Sequence, residues 1–275
     1  MAQVVFLSDA HLGSGSDTLE RERQLCTLLD QLFCPSDHAS GASETCPPKL
    51  FLLGDIFDFW FTYRHLVPRG HVRLLGKLAE LGDAGVEIHF FTGNHDMWLF
   101  DYLERECGVI MHEGPAVFEL YGKRFLVGHG DGLGNIDRGF NFIRFFFRNR
   151  FCQRLFKMLP SSVTFAIAHR WSDSNKRKHE RENLLHYLGD DREGIVIYCK
   201  QRLQSEHFDY CVFGHRHTPL IKVLGEQCSA PCDAEPNTEH LTLNTVYVNT
   251  GDWLYNRNYA VYTPERGMEI CNYNS

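Results

Sequence analysis

The sequence predicts an α/β domain, and three features carry that prediction. Short continuous apolar runs recur along the chain, each ending in a cluster of Gly, Asp, Asn or His. Segments with apolar residues at helical spacing stand between several of these runs. The chain has 275 residues, 43% hydrophobic and 23% charged, which is enough to bury a sizeable core and ordinary for a globular protein. Continuous apolar runs suit strands covered on both faces, and alternation of strand with helix makes an α/β sheet.

The elements follow in order. Val4-Val5-Phe6-Leu7 leads into Ser8-Asp9-Ala10-His11. Glu20 to Leu32 has helical spacing, and Cys34 to Pro48, holding Pro, Ser, Gly and Asp, reads as a surface loop. Leu50 to Leu53 leads into Gly54-Asp55, and Val72 to Ala84 is again helical. Ile88 to Phe91 leads into Thr92-Gly93-Asn94-His95-Asp96, and Phe125 to Val127 into Gly128-His129-Gly130. Tyr210 to Phe213 leads into Gly214-His215-Arg216-His217, and Val246 to Val248 into Asn249-Thr250-Gly251-Asp252-Trp253. All six polar clusters fall where α/β sheets place their sites, beyond the carboxyl ends of strands. Residues 132–189 carry no strand signal and are rich in Phe, Arg and Lys. They are predicted to form a helical insertion, a lid over the strand ends, within one domain spanning 1–275. Gly225 to Glu239 reads as a second surface loop with no assigned role.

Charge excludes some functions. The formal net charge of −7 argues against nucleic-acid binding by the surface as a whole. Yet Arg138 to Arg181 holds eight Arg and three Lys against Asp173 and Glu180, so one segment differs from the rest. The residues from Met1 to Leu7 lack the basic and apolar regions of a signal peptide, so none is expected, and no apolar run reaches the roughly 18–20 residues of a spanning helix. The ten cysteines follow no regular spacing and are expected to be reduced, and the Cys228/Cys232 pair lacks the partners of a zinc site.

Asp-x-His, Gly-Asp-x-x-Asp, Gly-Asn-His-Asp, Gly-His-Gly and Gly-His-x-His occur in that order, each after a strand-like run. Any one motif is weak, because a lone His beside a strand is more often a satisfied core residue. Five in order, all at strand ends, point to a metal centre built from Asp9, His11, Asp55, Asn94, His129, His215 and His217. Carboxylate oxygens and imidazole nitrogens suit divalent ions such as Mn²⁺, Zn²⁺ or Fe²⁺. A carboxylate can bridge two ions about 3.5–4 Å apart, and such a pair activates water and neutralises charge on a phosphoryl group.

These motifs resemble those of the calcineurin-like metallophosphoesterases, and the resemblance runs from Asp9 to Trp253. It implies two mixed β-sheets sandwiched between helices and a divalent pair, Mn²⁺ being the expected ion. Asp9, His11 and His217 would hold one ion, Asn94, His129 and His215 the other, with Asp55 shared. His95 is similar to the superfamily's general acid or phosphoryl stabiliser. Asp96 is expected either to orient the His95 ring or to cap a following helix. Asp58 is expected to cap or to support a ligand.

Within that superfamily the chain looks most like the diphosphatases that cut UDP-2,3-diacylglucosamine to UMP and 2,3-diacylglucosamine 1-phosphate in lipid A biosynthesis. The stretch Leu52 to Trp60, the insertion with Asn175-Lys176-Arg177-Lys178, and Asn249 to Trp253 carry that likeness. It implies a glycolipid nucleotide substrate touched by Asn175 and Lys178, which would sit one helical turn apart. The pattern departs at His95, where well-known proteobacterial members carry Arg. In the insertion, Phe140, Phe142, Phe145, Phe146, Phe147, Phe151 and Phe156 alternate with Arg144, Arg148, Arg150, Arg154 and Lys157. Exposed aromatics beside basic residues suit an interfacial helix on an anionic bilayer; Phe inward and Arg outward would instead make an ordinary helical subdomain. The expected place is the cytoplasmic face of the inner membrane, with no nucleic-acid or protein partner. Two other readings stand beside this one: a soluble phosphodiesterase or phosphatase acting on a nucleotide or other phosphoester, and a scaffold that has lost catalysis. The full set of seven ligand residues speaks against the scaffold.

Overall fold

The computed structural model describes residues 3–33, 48–63, 65–135, 149–160, 163–164, 186–224 and 244–273. Two mixed sheets face each other. The six-stranded sheet has the order β11-β10-β1-β2-β3-β4 and the five-stranded sheet the order β5-β6-β7-β9-β8. In the first, β1 (Val4–Leu7), β2 (Lys49–Leu52), β3 (Glu87–Phe91) and β4 (Ile110–His112) run parallel. β10 (Asn258–Thr263) and β11 (Gly267–Asn272) extend it antiparallel. In the second, β6 (Lys123–Gly128), β7 (Tyr210–Phe213) and β9 (Thr245–Asn249) are parallel, edged antiparallel by β5 (Ala116–Leu120) and β8 (Leu220–Leu224).

Helix α1 (Thr18–Phe33), α2 (Val72–Asp83) and α3 (Tyr102–Cys107) cover the outer face of the first sheet, and α5 (Gly194–Leu203) packs on the second. α4 (Arg150–Lys157) contributes no residue to the buried cores of either sheet. Alternate residues of one strand therefore serve two cores. On β3, Ile88 and Phe90 face the helices, while Phe91 joins Phe6, Phe51, Phe125 and Val248 between the sheets. The helices are fixed to each other by polar contacts as well. Glu22 of α1 accepts from the amides of Arg73 (3.0 Å) and Leu74 (3.1 Å), so α1 caps α2.

The predicted α/β class, both helices before β3 and all six strands preceding polar clusters are present. Of the insertion expected over 132–189, the described residues hold a 3₁₀ turn (Leu133–Asn135), α4 and three short stretches. The remainder, with Asn175 and Lys178, lies outside the described residues. So do most of the loop from Cys34 to Pro48 and all of that from Gly225 to Glu239. In α4, Asn149 caps through its side chain, accepting from Phe151 (2.8 Å) and Cys152 (3.3 Å). Phe156 packs on Phe61 and Trp98 at ring distances of 5.2 and 4.8 Å, while Phe151 is 67% exposed. Thus neither simple arrangement of the Phe residues holds along the whole helix. Among the described residues no helix is long and apolar enough to cross a membrane.

Candidate metal centre

The loops that leave β1, β2, β3, β6 and β7 meet at one end of the sandwich. They are laced by backbone hydrogen bonds: Asp9 N–H to Gly54 O (3.1 Å), His11 N–H to Asp55 O (2.9 Å) and Gly214 N–H to His129 O (3.0 Å). Asp9, His11, Asp55, His215 and His217 all have φ between 42° and 67°. Non-glycine residues seldom adopt this left-handed region, and such residues cluster at functional sites.

Among the described residues three groups of three potential ligand atoms lie within 4.8 Å of one another: Asp9/His11/His217, Asp55/His129/His215 and, sharing His11, His11/Asp58/His95. Asp9 Oδ1 lies 3.2 Å from His217 Nε2 and 4.0 Å from His11 Nε2. Asp55 Oδ2 lies 3.3 Å from His129 Nε2 and 3.9 Å from His11 Nε2, between the first two groups. His129 Nε2 and His215 Nδ1 approach to 3.2 Å. Asn94 presents a buried Oδ1 that has no hydrogen-bond partner, as do Asp9 Oδ1 and His11 Nε2.

The partners of the rings set their tautomers. His129 Nδ1 is 2.7 Å from the Leu53 carbonyl, which can only accept, so Nδ1 carries a proton and Nε2 faces the site. His11 Nδ1 faces Asp58 Oδ1 at 3.3 Å, again leaving Nε2 for the site. This is how a carboxylate or carbonyl behind a histidine fixes a metal ligand. Asp58 thus holds the ring of a candidate ligand, and its amide donates to Leu12 O (2.9 Å).

Charge follows the same plan. Burial pushes the Asp9 carboxyl up, but His217 and then His129 outweigh it and bring it down to about 2. At Asp55 burial is likewise outweighed by His129 and His95, so the group lies well below the usual range. Burial also depresses His129, yet Asp55, Asp9 and Asp131 raise it to about 10. Burial and the His129 charge lower His215 to about 3. A buried set with two firm carboxylates, imidazole nitrogens turned to the site and an orphaned amide oxygen fits divalent cations, which would displace the ring protons.

His95 and Asp96 do not make the pair that the sequence suggested. His95 Nδ1 is 2.8 Å from the Asp58 carbonyl, so the backbone orients the ring. Asp96 accepts instead from Gly93 N (2.8 Å), Ile56 N (2.9 Å) and Phe57 N (3.3 Å). It also caps no helix, since α3 begins only at Tyr102. Its carboxylate staples the β2 and β3 loops, because three orphan amides attract it more than one ring does. Burial and the nearby Asp55 charge push it up to about 7.

Sequence reasoning also missed a residue. Asp252, fully buried, lies 4.0 Å from His217 Nδ1 and accepts from the Asn256 amide (3.1 Å) and side chain (2.8 Å). It belongs to the Asn249 to Trp253 motif, whose position after a strand was its only signal. The aromatics after Asp55 prove to be core: Phe57, Trp60 and Phe61 are buried, Phe57 against Trp60 at 4.6 Å.

The calcineurin-like phosphoesterase profile matches residues 2–219, and the chain belongs to that family, making it a metal-dependent hydrolase. Its relatives narrow the comparison. A UDP-2,3-diacylglucosamine hydrolase of Porphyromonas gingivalis is 33% identical over 95% of this chain and 94% of its own. Proteins of the same description from Photorhabdus laumondii (32%, over 63% of this chain and 70% of theirs) and Escherichia coli (30%, over 64% and 70%) are also similar.

Proposed function

We propose that this protein hydrolyses the pyrophosphate of UDP-2,3-diacylglucosamine, giving UMP and 2,3-diacylglucosamine 1-phosphate, in lipid A biosynthesis. The observation that carries the reading is Asp55 Oδ2 standing between two three-residue ligand groups, supported by relatives that bear the corresponding name. Asp9, His11 and His217 would hold one divalent ion and Asn94, His129 and His215 the other, with Asp55 shared and Mn²⁺ the proposed metal. Such ions supply charge neutralisation at the phosphate oxygens and activation of water.

The protein's own residues do the rest. Asp58 and the Leu53 carbonyl hold the His11 and His129 rings with Nε2 forward. His95 stands at the edge of the site, 14% exposed at its side chain and anchored through Nδ1. Its Nε2 is thereby turned to the substrate, where it binds a phosphoryl oxygen or protonates the leaving oxygen. The left-handed ligand loops are locked before substrate arrives, so little reorganisation is left to the reaction.

We assign the insertion, 132–189, as a lid over the acyl chains, with Asn175 and Lys178 contacting the sugar or phosphate. Exposed Phe151, Leu155 and Met158 beside Arg150, Arg154 and Lys157 support peripheral contact with the anionic cytoplasmic face of the inner membrane. Binding to anionic liposomes should weaken with salt and with Arg150→Glu/Arg154→Glu; no binding at low salt would remove this part.

The test is UMP release from UDP-2,3-diacylglucosamine in detergent with Mn²⁺, beside bis-p-nitrophenyl phosphate. Release far outpacing the soluble ester is expected. Cleavage of the soluble ester alone would keep the metal centre and discard the lipid substrate.

A further inference from the structure

Arg216 stands between His215 and His217 in sequence, and its side chain engages Glu193 and the His186 carbonyl. Its guanidinium donates from Nη2 to Glu193 Oε1 at 3.1 Å, and Nε lies 2.9 Å from Oε2 as an ion-pair contact without hydrogen-bond geometry. The Glu193 side chain is almost wholly buried, and that of Arg216 largely so. Arg216 Nη2 also donates to the His186 carbonyl (3.3 Å), and Glu193 Oε1 accepts from the Leu188 amide (3.0 Å). A guanidinium paired with a buried carboxylate, and donating from one nitrogen both to it and to the His186 carbonyl, is held in place.

Glu193 is the residue just before α5, yet its side chain does not cap that helix. It is turned wholly to Arg216 and the 186–188 segment. The start of α5 touches the site a second time. A Cβ on Gly130, next to His129, would lie 2.5 Å from Ile195 Cδ1, so loop and helix are in close contact. The far side of the His215 loop is held independently, by Asn249 Nδ2 donating to Gly214 O (2.6 Å). The start of α5 therefore supports both loops, β6 to His129 and β7 to His215 and His217.

We propose that Arg216 and Glu193 are positioning residues for the metal centre: their ion pair fixes the His215–His217 loop to α5. This rests on the reading of His215 and His217 as metal ligands. Neither residue touches substrate.

The test is titration of the metal-free full-length protein with Mn²⁺ by calorimetry, well below Tm. Glu193→Gln keeps the shape of the side chain and removes its charge; Arg216→Met removes the guanidinium. Each should weaken Mn²⁺ binding about 10–100-fold, the range for residues that orient ligands. The double variant, in which no charge is left buried alone, should be no worse than the weaker single variant, and Arg216→Lys should recover part of the loss. Wild-type Mn²⁺ affinity in folded Glu193→Gln would overturn the proposal, as would a lowered Tm with affinity intact. Losses that simply add in the double variant would also overturn it. A wild-type protein that takes up no Mn²⁺ would instead overturn the metal-centre reading beneath it.

Discussion

Adding one methyl group to Gly93 probes the geometry on which the site depends. A Cβ there would lie 2.6 Å from the Asp55 amide nitrogen and 2.8 Å from its Cγ, and closer still to Oδ1. Packed atoms prefer about 3.5–4.0 Å, so Gly93→Ala must drive the two loops apart by about 1 Å. Overpacking of this kind costs about 1–3 kcal/mol, a loss of roughly 2–4 °C in Tm for each kcal/mol in a chain of this size. The functional cost is larger in proportion, because a displacement of about 1 Å at reacting groups costs on the order of 10²-fold in rate. Gly93→Ala should therefore stay folded while kcat/KM for bis-p-nitrophenyl phosphate with Mn²⁺ falls about 100-fold. Gly76→Ala is the control: its Cβ in α2 meets nothing within 4 Å, and it should be neutral or stabilise by about 0.5–1 kcal/mol. Wild-type kcat/KM and Mn²⁺ affinity in Gly93→Ala would refute the placing of Asp55 at the centre.

Other outcomes follow from the same contacts. His95→Asn should leave bound metal, read by elemental analysis, unchanged while turnover falls about 10²–10⁴-fold; unaltered turnover would free His95 of any part in the reaction. Asp96→Asn places an NH₂ against an amide it now accepts from, so it should destabilise by about 1–3 kcal/mol in urea titration without changing the pH profile of kcat. Burial holds His89 below its ordinary value, and burial with the neighbouring His89 brings His112 to about 4. Both lie below the unfolded value, so the unfolded chain binds more protons in that window. Stability from this pair is complete above about pH 6.5 and falls as pH drops toward about 4, seen as a declining urea midpoint. His112→Phe should flatten that decline.

The parts legible in the sequence were those whose physics is local. β1, β2, β3, β6, β7 and β9 are covered on both faces, so their apolar runs are continuous, as in Val4–Leu7 and Tyr210–Phe213. β5 and β8 alternate between covered and exposed residues at sheet edges, and β11 is half-buried up to its exposed last residue, so their patterns are weak and they passed unread. The candidate ligands could be picked out because each follows a strand. The partner of each ligand could not, because it is set by loops distant in sequence. Asp96 faces Ile56 and Phe57 across 40 and 39 positions, and His95 is oriented by a backbone carbonyl, which no side-chain motif records.

The same distribution explains how the centre is kept in shape. Five candidate ligands sit in backbone conformations that cost of order 1–3 kcal/mol each, so the loops would relax if nothing opposed them. What opposes them is mostly main chain. The Asp9 and His11 amides donate to the β2 loop, Trp253 and Leu254 N–H donate to Ser8 O (3.2 Å) and Asp9 O (3.1 Å), and Asp9 Oδ2 accepts from the His215 amide (2.8 Å). These bonds tie the β1 loop to the β2, β7 and β9 loops at once. A side-chain change at one candidate ligand would then remove one donor but leave the frame, whereas a change that parts two loops would disturb several candidate ligands together. That is why Gly93→Ala, which alters no ligand, is expected to weaken both activity and metal binding, while His95→Asn is expected to leave the metal in place.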